Sequence, residues 1–284
     1  VSVISPRPKD EPEYMELNGV HLYRYPLPPP TKSVISYLHE FSYCWIHTWR
    51  LARRVWRERR FDVLQTCNPP DTFWLIGRWY KRKGVKFVFD QHDLCPELYE
   101  SRFGRRGLFH KGLLWLEKQT YRTADAVIVP NESYRRVAIE RGGIPPDRIA
   151  VVRSGPLASR FQRVAPDPTL KRGRPYLGVY LGVMGAQDGV DYLLRAIAHV
   201  VHTFGYHQCH FVLIGGGDMY PDLVKLTQDL NLTDFVEFTG RIPDDDLLRY
   251  FSTADIALAP DPLNPLNDVS TMNKIIEYMA VGLP

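Results

Sequence analysis

Residues 176–204 read YLGVYLGVMGAQDGVDYLLRAIAHVVHTF. An apolar run opens this stretch, a glycine-containing loop follows, and apolar residues then recur at helical spacing. The recurring residues are Val190, Leu193, Leu194, Ile197, Ala198 and Val201. They share one face at 3.6 residues per turn, which predicts an amphipathic helix over 189–204 with Asp188 as its N-cap. A buried strand that leads directly into such a helix is the repeating unit of a parallel sheet covered by helices.

The same alternation of strand and helix extends through most of the chain. Short runs rich in Val, Ile and Phe predict strands at 1–4, 63–64, 85–90, 126–129, 149–152, 176–182, 210–215, 235–238 and 255–259. A long helix is predicted over 32–59. The chain is therefore predicted to be an α/β protein with parallel sheets.

One segment interrupts this alternation. Residues 163–175 contain three prolines and one glycine and have no periodicity, which predicts a linker. The linker separates two predicted domains, 1–162 and 176–284. A chain of 284 residues is long enough for two domains of ordinary size.

The composition is that of a globular protein, with 44% hydrophobic and 24% charged residues. The four cysteines are isolated and form no C-x-x-C pair, so neither a zinc site nor a disulfide framework is indicated. Free thiols are typical of a reducing cytosol. No apolar run approaches the roughly 18 residues that cross a bilayer.

Charge is distributed unevenly along the chain. Residues 1–150 contain 25 Lys and Arg against 17 Asp and Glu, whereas 151–284 contain 11 against 15. A basic first half indicates an anionic partner, such as a phospholipid surface, a lipid-linked phosphate or nucleic acid. The alternative is a solvated basic face with no partner. Nucleic acid is disfavoured because the chain has no recognition motif and no interleaved aromatic platform.

Two glycine loops follow predicted strands. Gly182 and Gly185 precede the helix at 189, and Gly215 and Gly217 belong to a run of three glycines before another helix. Glycine lets backbone N–H groups approach a ligand closely, and a helix N-terminus favours phosphate. Tight structural turns are the alternative. The G-x-G-x-x-G spacing of a dinucleotide site is missing.

A third segment, 264–280, carries polar residues at the start of a predicted helix. Ser270 and Thr271 are predicted to cap this helix. Lys274 and Glu277 are three residues apart and share a face, so a diphosphate would meet Lys274 and the free N–H groups while Glu277 holds ribose hydroxyls. The alternative is a surface Lys–Glu pair.

Two acidic clusters remain. Asp90, His92, Asp93 and Glu97 follow a buried strand, and ligands of open α/β sheets bind beyond the carboxyl ends of strands. His92 and Asp93 are therefore predicted to handle protons or hold a sugar hydroxyl. Residues 244–246 are three aspartates with a D-x-D pattern. Their position after a proline predicts the acidic first turn of a helix rather than a metal site.

The order of these motifs resembles retaining glycosyltransferases of family 4, which have the GT-B fold. The resemblance covers nearly the whole chain and is most specific in FDQHD (89–93), LGVMGAQDGVDYLLRA (181–196), FVLIGGGD (211–218), EFTGRIPDDDL (237–247), ADIALAPD (254–261) and STMNKIIEYMAVGLP (270–284). It implies two Rossmann-like domains with parallel sheets facing a central cleft. It also implies a first strand before Val1 and further elements after Pro284.

The resemblance implies roles for particular residues. In the family, nucleotide-sugar binds mainly to the C-terminal domain. The implied donor-binding set is Gly182, Gly185, Gly215, Gly217, Arg241, Ile242, Asp268, Ser270, Thr271, Lys274 and Glu277. His92 and Asp93 match the loop that contacts the transferred sugar and the acceptor.

This chain departs from the family pattern in the same region. Val269 stands where the first glutamate of a conserved pair falls, with Asp268 beside it. Val183 and Asp188 stand where the family often has Arg and Lys. Lys274 is the implied replacement, alone or together with Arg241 or Arg153.

The implied activity is transfer of a sugar from a nucleoside-diphosphate-sugar to a glycan or lipid-linked acceptor, with retention of configuration and without metal or cofactor. The implied setting is bacterial cell-surface polysaccharide synthesis in the cytoplasm, peripheral to the inner face of the plasma membrane. A basic helical stretch, 49–60, is predicted either to lie on an anionic membrane or to pack its Trp side chains inward. A GT-B nucleotide-sugar epimerase and a non-catalytic nucleotide-binding scaffold are the alternative functions.

Overall fold

The computed structural model describes residues 1–8, 10–27, 34–159 and 161–284, with the side chains of 34–38 outside the description. The chain divides into two compact units. The first comprises Val1–Pro96 with Arg106–Val152, and the second comprises Glu97–Arg105 with Arg153–Pro284. Each unit contains a four-stranded parallel sheet, as the strand–helix alternation predicts.

The first unit contains seven strands among its described residues. The elements are β1 (Ser2–Arg7), β2 (Tyr14–Leu17), β3 (Val20–Pro26), α1 (Val34–Arg59), β4 (Val63–Cys67), α2 (Trp74–Lys81), β5 (Lys86–Asp90), α3 (Cys95–Phe103), α4 (Leu108–Thr123), β6 (Ala126–Val129), α5 (Glu132–Glu140) and β7 (Ile149–Val151). Helix α3 begins in this unit and groups with the second unit from Glu97 onward.

The parallel sheet of the first unit has the order β4-β5-β6-β7. Helices α2 and α4 cover the face on which the two phenylalanines of β5 are buried. A Cβ atom at Gly77 of α2 would lie 2.7 Å from the ring of Phe87, so the glycine allows the helix to approach the strand. Phe89 packs edge-on against Tyr121 of α4, with ring centroids 5.8 Å apart.

A second, three-stranded sheet of order β1-β3-β2 was only partly predicted. The strand at 1–4 is confirmed as β1, whereas β2 and β3 were missed. Leu17 pairs with Val20 across a two-residue turn formed by Asn18 and Gly19, whose φ angles are 52° and 78°. Asn-Gly is the preferred sequence for such a hairpin turn, so the signal was present in the sequence.

Helix α1 confirms the long helix predicted over 32–59. Its Trp49 and Trp56 pack against a core cluster that includes Ile76 and Tyr80. Of the two interpretations of this basic stretch, the structure supports inward packing of the Trp side chains. Within the described ranges, no helix combines the length and apolar character needed to cross a membrane.

The second unit carries the other parallel sheet, of order β10-β9-β8-β11. Its elements are β8 (Tyr176–Leu181), α6 (Val190–Ala198), β9 (Cys209–Ile214), α7 (Tyr220–Asp229), β10 (Val236–Gly240), α8 (Asp244–Thr253), β11 (Ile256–Leu258) and α9 (Asn273–Ala280). Residues 163–175, predicted as a linker, contain the short 3-10 helix Pro168–Lys171.

The two central strands, β8 and β9, are buried along nearly their whole length, as expected for strands covered on both faces. The predicted apolar face of α6 is confirmed, because Val190, Leu193, Leu194 and Ile197 are buried in one cluster. The helix is shorter than predicted and continues as one π-helical segment over His199–Thr203.

Candidate functional site

The two glycine loops lie against each other at the carboxyl ends of β8 and β9. Gly182 N–H donates to the Ile214 carbonyl at 3.1 Å, and Met184 N–H donates to the Gly216 carbonyl at 3.1 Å. These hydrogen bonds extend the β8–β9 ladder into the loops. The two segments that were predicted separately therefore form one structure.

The three consecutive glycines are not equivalent. A Cβ atom on Gly215, which has φ +127°, would lie 1.9 Å from the Gly182 carbonyl oxygen. One on Gly217 would lie 2.6 Å from the Met184 carbonyl oxygen. One on Gly216 would meet nothing within 4 Å. Packing therefore explains Gly215 and Gly217, whereas Gly216 faces open space.

The loop before α6 contains its own carboxylate. The Gly185 N–H donates to Asp188 Oδ2 at 2.9 Å, and burial raises the pKa of Asp188. The helix N-cap is Gly189, with φ 69°, so the prediction that Asp188 caps α6 is wrong. Glycine takes the cap position because this left-handed conformation is disfavoured for other residues.

Lys274, in the first turn of α9, is buried in an ion pair. Its Nζ lies 2.8 Å from Asp261 Oδ1, and the two side chains are 9% and 10% exposed. The ammonium also lies 4.8 Å from the centroid of the Tyr180 ring in β8. Lys274 thus pairs with an aspartate that follows β11, not with Glu277 on its own helix.

Helix α9 has a second anchor one turn later. Leu181 N–H donates to the hydroxyl of Tyr278 at 2.8 Å, and that hydroxyl donates to the Leu258 carbonyl at 3.3 Å. Tyr278 thus bonds the ends of the neighbouring strands β8 and β11. The ring of Tyr278 is buried in the core. In the sequence Tyr278 therefore looks like an ordinary core residue of the helix, and nothing there indicates the role of its hydroxyl.

Glu277 lies between these two anchors. The residue is half-buried, and burial raises its pKa, with a smaller contribution from the nearby carboxylate of Asp244. A carboxylate beside the carboxyl edge of the sheet suits hydrogen-bond donors such as ribose hydroxyls.

The segment before α9 is irregular and is held by asparagines. The Asn267 side chain donates to the carbonyls of Gln187, at 3.1 Å, and Pro262, at 2.9 Å. It therefore ties this segment to the loop before α6. The predicted capping by Ser270 and Thr271 is wrong: the N-cap of α9 is Met272, which has no side-chain cap. Ser270 Oγ instead donates to the Leu266 carbonyl at 2.8 Å.

The remaining predicted donor residues lie at the same edge of the sheet. Arg241, exposed, and Ile242, half-buried, follow β10 directly. Asp268 is exposed in the irregular segment. Because β8 to β11 are all parallel, their carboxyl ends and the loops after them meet at one edge. The sequence missed Asp261, Asn267 and Tyr278, whose contacts depend on distant parts of the chain.

His92 and Asp93 follow β5 at the carboxyl edge of the sheet in the first unit. The His92 side chain is 58% exposed and its Nε2 lies 3.4 Å from Asp90 Oδ1. Burial raises the pKa of Asp93, and His92 opposes that effect. This loop therefore places the exposed imidazole of His92 next to the partly desolvated carboxyl group of Asp93.

The described part of the chain was also searched for clusters of metal-binding side chains. Among the residues that the structure describes, no group of three or more His, Cys, Asp or Glu side chains has metal-binding geometry. The three aspartates at 244–246 form the first turn of α8, which confirms the predicted acidic turn.

Two protein families match the sequence. The family described as Glycosyl transferase 4-like domain matches residues 1–155. The family described as Glycosyl transferases group 1 matches residues 175–284. Together the two matches cover both units.

Individual proteins agree with these matches. The chain is 22% identical to an uncharacterized glycosyltransferase of Methanocaldococcus jannaschii, over 97% of this chain and 68% of that protein. Sucrose-phosphate synthase from Thermosynechococcus elongatus has a similar structure, with a TM-score of 0.78 and 21% identity over 100% of this chain and 69% of that one. The Anabaena protein HepE, solved in complex with UDP-glucose, has a TM-score of 0.62 and 18% identity over 82% of this chain and 61% of that one.

Sucrose-phosphate synthase is a GT-B glycosyltransferase, so its similarity confirms the predicted fold class, an α/β GT-B fold with parallel sheets. Three further curated relatives are matched over only 49–50% of their own length. The chain thus spans about half the length of those relatives.

Proposed function

Because this chain belongs to the Glycosyl transferase 4-like family, we propose that it transfers a sugar from a nucleoside-diphosphate-sugar to a glycan or lipid-linked acceptor, with retention of anomeric configuration. The observation that carries this proposal is the edge of the second sheet. Two interlocked glycine loops, the N-terminus of α9 and Glu277 gather there. Backbone N–H groups and a carboxylate at one edge suit the two ends of a nucleoside diphosphate.

The donor is proposed to lie along this edge. Its diphosphate meets the open face at Gly216 and the N-terminal turns of α6 and α9. Its ribose hydroxyls donate to Glu277, and its base lies near the backbone of Arg241 and Ile242. HepE, whose structure was solved with UDP-glucose, supports this class of donor.

Lys274 is proposed to supply positive charge for the diphosphate. Its ammonium lies 2.8 Å from Asp261 Oδ1. The arriving phosphate competes with this carboxylate for the ammonium. Asp188 also holds the Gly185 N–H, so two carboxylates stand beside the groups that are proposed to meet the diphosphate. The donor's phosphates compete with these carboxylates, which lowers affinity.

Catalysis is proposed to depend on positioning and charge. As the bond between sugar and phosphate breaks, negative charge grows on the leaving diphosphate, and the helix N-termini and Lys274 stabilise it. The acceptor hydroxyl attacks from the same face, and the leaving phosphate takes its proton. His92 and Asp93 hold sugar hydroxyls in place. No metal or cofactor is assigned a role.

The acceptor is proposed to be linked to an anionic lipid surface, with the protein peripheral to the cytoplasmic face of a membrane. Exposed arginines on α1 support this proposal through their charge. An epimerase acting on the same donor would release a changed nucleotide-sugar and glycosylate nothing, so product analysis separates the two.

Calorimetric titration of the protein with UDP, GDP and ADP, with and without Mg²⁺, tests the donor site. We expect one nucleotide to bind at micromolar Kd, equally in both conditions, and Glu277→Ala to weaken it at least about tenfold, or about 1.4 kcal/mol. Asp229→Asn, at the far end of α7, is the matched control and leaves Kd unchanged. Absence of binding and of thermal stabilisation by all three nucleotides would sink the transferase proposal and favour a scaffold.

A further inference from the structure

We propose that Asn68 and Asp90 are positioning residues for His92: Asn68 holds the main chain of its loop and Asp90 turns its imidazole. The inference rests on the proposed function, since it assumes that His92 contacts the transferred sugar. All the residues concerned lie in the first unit, at the carboxyl ends of β4 and β5.

Asn68 makes three hydrogen bonds to two consecutive residues. Its Oδ1 accepts from the N–H of His92 at 2.8 Å and from the N–H of Asp93 at 3.2 Å. Its Nδ2 donates to the carbonyl of Asp93 at 2.7 Å. A single side chain thus bonds three main-chain groups of the loop after β5. Since two N–H groups can meet only an acceptor, they also fix which end of the amide faces them.

Asn68 is itself held in place. The residue is 4% exposed, and its Nδ2 also donates to Asp71 Oδ1 at 3.0 Å. The Asp71 carbonyl accepts from Thr120 Oγ1 of α4 at 3.2 Å. The loop that carries His92 is therefore connected through Asn68 and Asp71 to a helix that packs on the sheet. A buried polar network of this kind restricts a loop to few conformations.

Asp90 acts on the imidazole. Its Oδ2 accepts from Gln65 Nε2 of β4 at 2.9 Å, which turns Oδ1 toward His92 Nε2 at 3.4 Å. That distance is longer than an ordinary hydrogen bond. The carboxylate therefore orients the imidazole ring by electrostatic attraction rather than by a short hydrogen bond.

A buried asparagine would be hydrogen-bonded in any case, so a purely structural role is the competing explanation. The contrast between the fixed main chain of His92 and its exposed side chain argues against a purely structural role. The main chain at His92 is fixed by a buried residue, yet its imidazole is 58% exposed. A fixed backbone under an exposed imidazole is what a positioned contact to a substrate requires.

The test compares Asn68→Ala and Asn68→Asp with Asp125→Asn. Asp125 makes a similar anchor at the opposite edge of the same sheet, accepting from the Phe87 N–H at 2.8 Å and from Lys81 at 3.0 Å. Asn68→Asp keeps the side-chain shape and the oxygen that accepts from the His92 and Asp93 N–H groups, but it loses the amide donor to the Asp93 carbonyl. It replaces Asn68→Ala in the test if the alanine variant does not fold. Asp90→Asn removes the charge that faces His92.

We expect Asn68→Ala to lower kcat for transfer, or for donor hydrolysis, about 100-fold. Asp90→Asn should lower it about tenfold, in keeping with an orienting charge. Nucleotide Kd should stay within about twofold in both, because the donor site lies in the second unit. Asp125→Asn should lower thermal stability as much as Asn68→Ala and leave kcat unchanged. Equal kcat in Asn68→Ala and Asp125→Asn, compared per folded molecule, overturns the inference.

Amide hydrogen exchange separates this inference from the proposed function. In Asn68→Ala we expect exchange at His92 and Asp93 to accelerate at least tenfold, with no change in Asp125→Asn. This readout needs no substrate. If the wild-type protein turns over no nucleotide-sugar, the proposed function fails. If the two amides exchange at the wild-type rate in Asn68→Ala, the positioning role fails whatever the activity.

Discussion

At the scale of single residues, a few buried polar and charged side chains stand out from a mostly hydrophobic core. Lys274 and Asp261 are held together with both side chains about nine-tenths buried. Asp71 is buried beneath the His92 loop. Burial of each of these residues costs desolvation free energy, which its hydrogen-bonded or ion-paired neighbour offsets in part. Their energetics therefore respond to substitution of either partner.

The Lys274–Asp261 ion pair leads to one prediction about stability and one about nucleotide affinity. Lys274→Ala leaves a buried carboxylate unpaired and should destabilise the protein by about 3–5 kcal/mol. Asp261→Asn keeps a hydrogen-bond acceptor and frees the ammonium, so nucleotide affinity should rise about tenfold. Chemical denaturation and calorimetry measure the two effects.

The double variant Lys274→Met/Asp261→Leu is the control for stability. Because it removes both charges, it should recover most of the stability that Lys274→Ala loses while still binding nucleotide weakly. Weaker nucleotide binding by Asp261→Asn would contradict competition between phosphate and carboxylate for Lys274.

Asp71 makes stability depend on pH. Burial raises its pKa from 3.8 to about 6. Because the folded-state pKa is raised, the contribution of this group to stability is complete below about pH 4 and is lost as pH rises through about 6. The loss amounts to about 3 kcal/mol. Asp71→Asn should abolish this part of the pH dependence, as measured by melts between pH 4 and 8. A variant that keeps the full slope would assign it to other groups.

At the scale of elements, the interlocked loops after β8 and β9 explain why three glycines stand together. Packing of one backbone on another requires Gly215 and Gly217, which leaves Gly216 beside open space. The packing requirement thus falls on the first and third glycines, and the proposed contact with the donor falls on the glycine between them.

Substitution of neighbouring glycines should separate these requirements. Gly217→Ala places a Cβ atom 2.6 Å from a main-chain oxygen and should cost about 1–3 kcal/mol of stability. Gly216→Ala meets no protein atom and should leave thermal stability nearly unchanged, yet weaken nucleotide binding. Thermal melts and calorimetry of the two variants check this. Unchanged nucleotide affinity in Gly216→Ala would remove the open face from the donor site.

At the scale of the whole molecule, basic residues are concentrated in the first half. Residues 1–150 hold 25 Lys and Arg against 17 Asp and Glu. Helix α1 turns its Trp side chains to the core and exposes Arg50, Arg53 and Arg57 at helical spacing. The exposed charge, not aromatic insertion, is therefore what this helix offers to an anionic surface.

Co-sedimentation with vesicles tests the proposed membrane contact. We expect binding to vesicles rich in phosphatidylserine, none to neutral vesicles, and a steep loss with salt. Replacing Arg50, Arg53 and Arg57 with Glu should abolish it. The same triple change at Arg135, Arg136 and Arg148, in the same unit, is the charge-matched control. Binding that is equal in both triple variants would assign the contact to net charge rather than to α1.

The sequence alone was enough to predict the alternation of strands and helices. The strand predicted at 126–129 is β6, and the long helix predicted over 32–59 is α1. Such elements follow from apolar periodicity, which is a local property of the chain. The glycine loops and the His92 loop were predicted for the same reason, since each directly follows a strand.

Only the tertiary structure decided how the polar residues are partnered. It pairs Lys274 with Asp261, gives the Gly185 N–H to Asp188, and sets Asn68 under His92. The first contact joins α9 to the segment after β11, and the third joins the loops after β4 and β5. No local pattern in the sequence ties these partners to each other. The capping predictions for Asp188, Ser270 and Thr271 failed because a side chain close to a helix start can bond a loop amide or carbonyl instead. Periodicity specifies which face of an element is buried, whereas partners inside a site depend on how the elements pack.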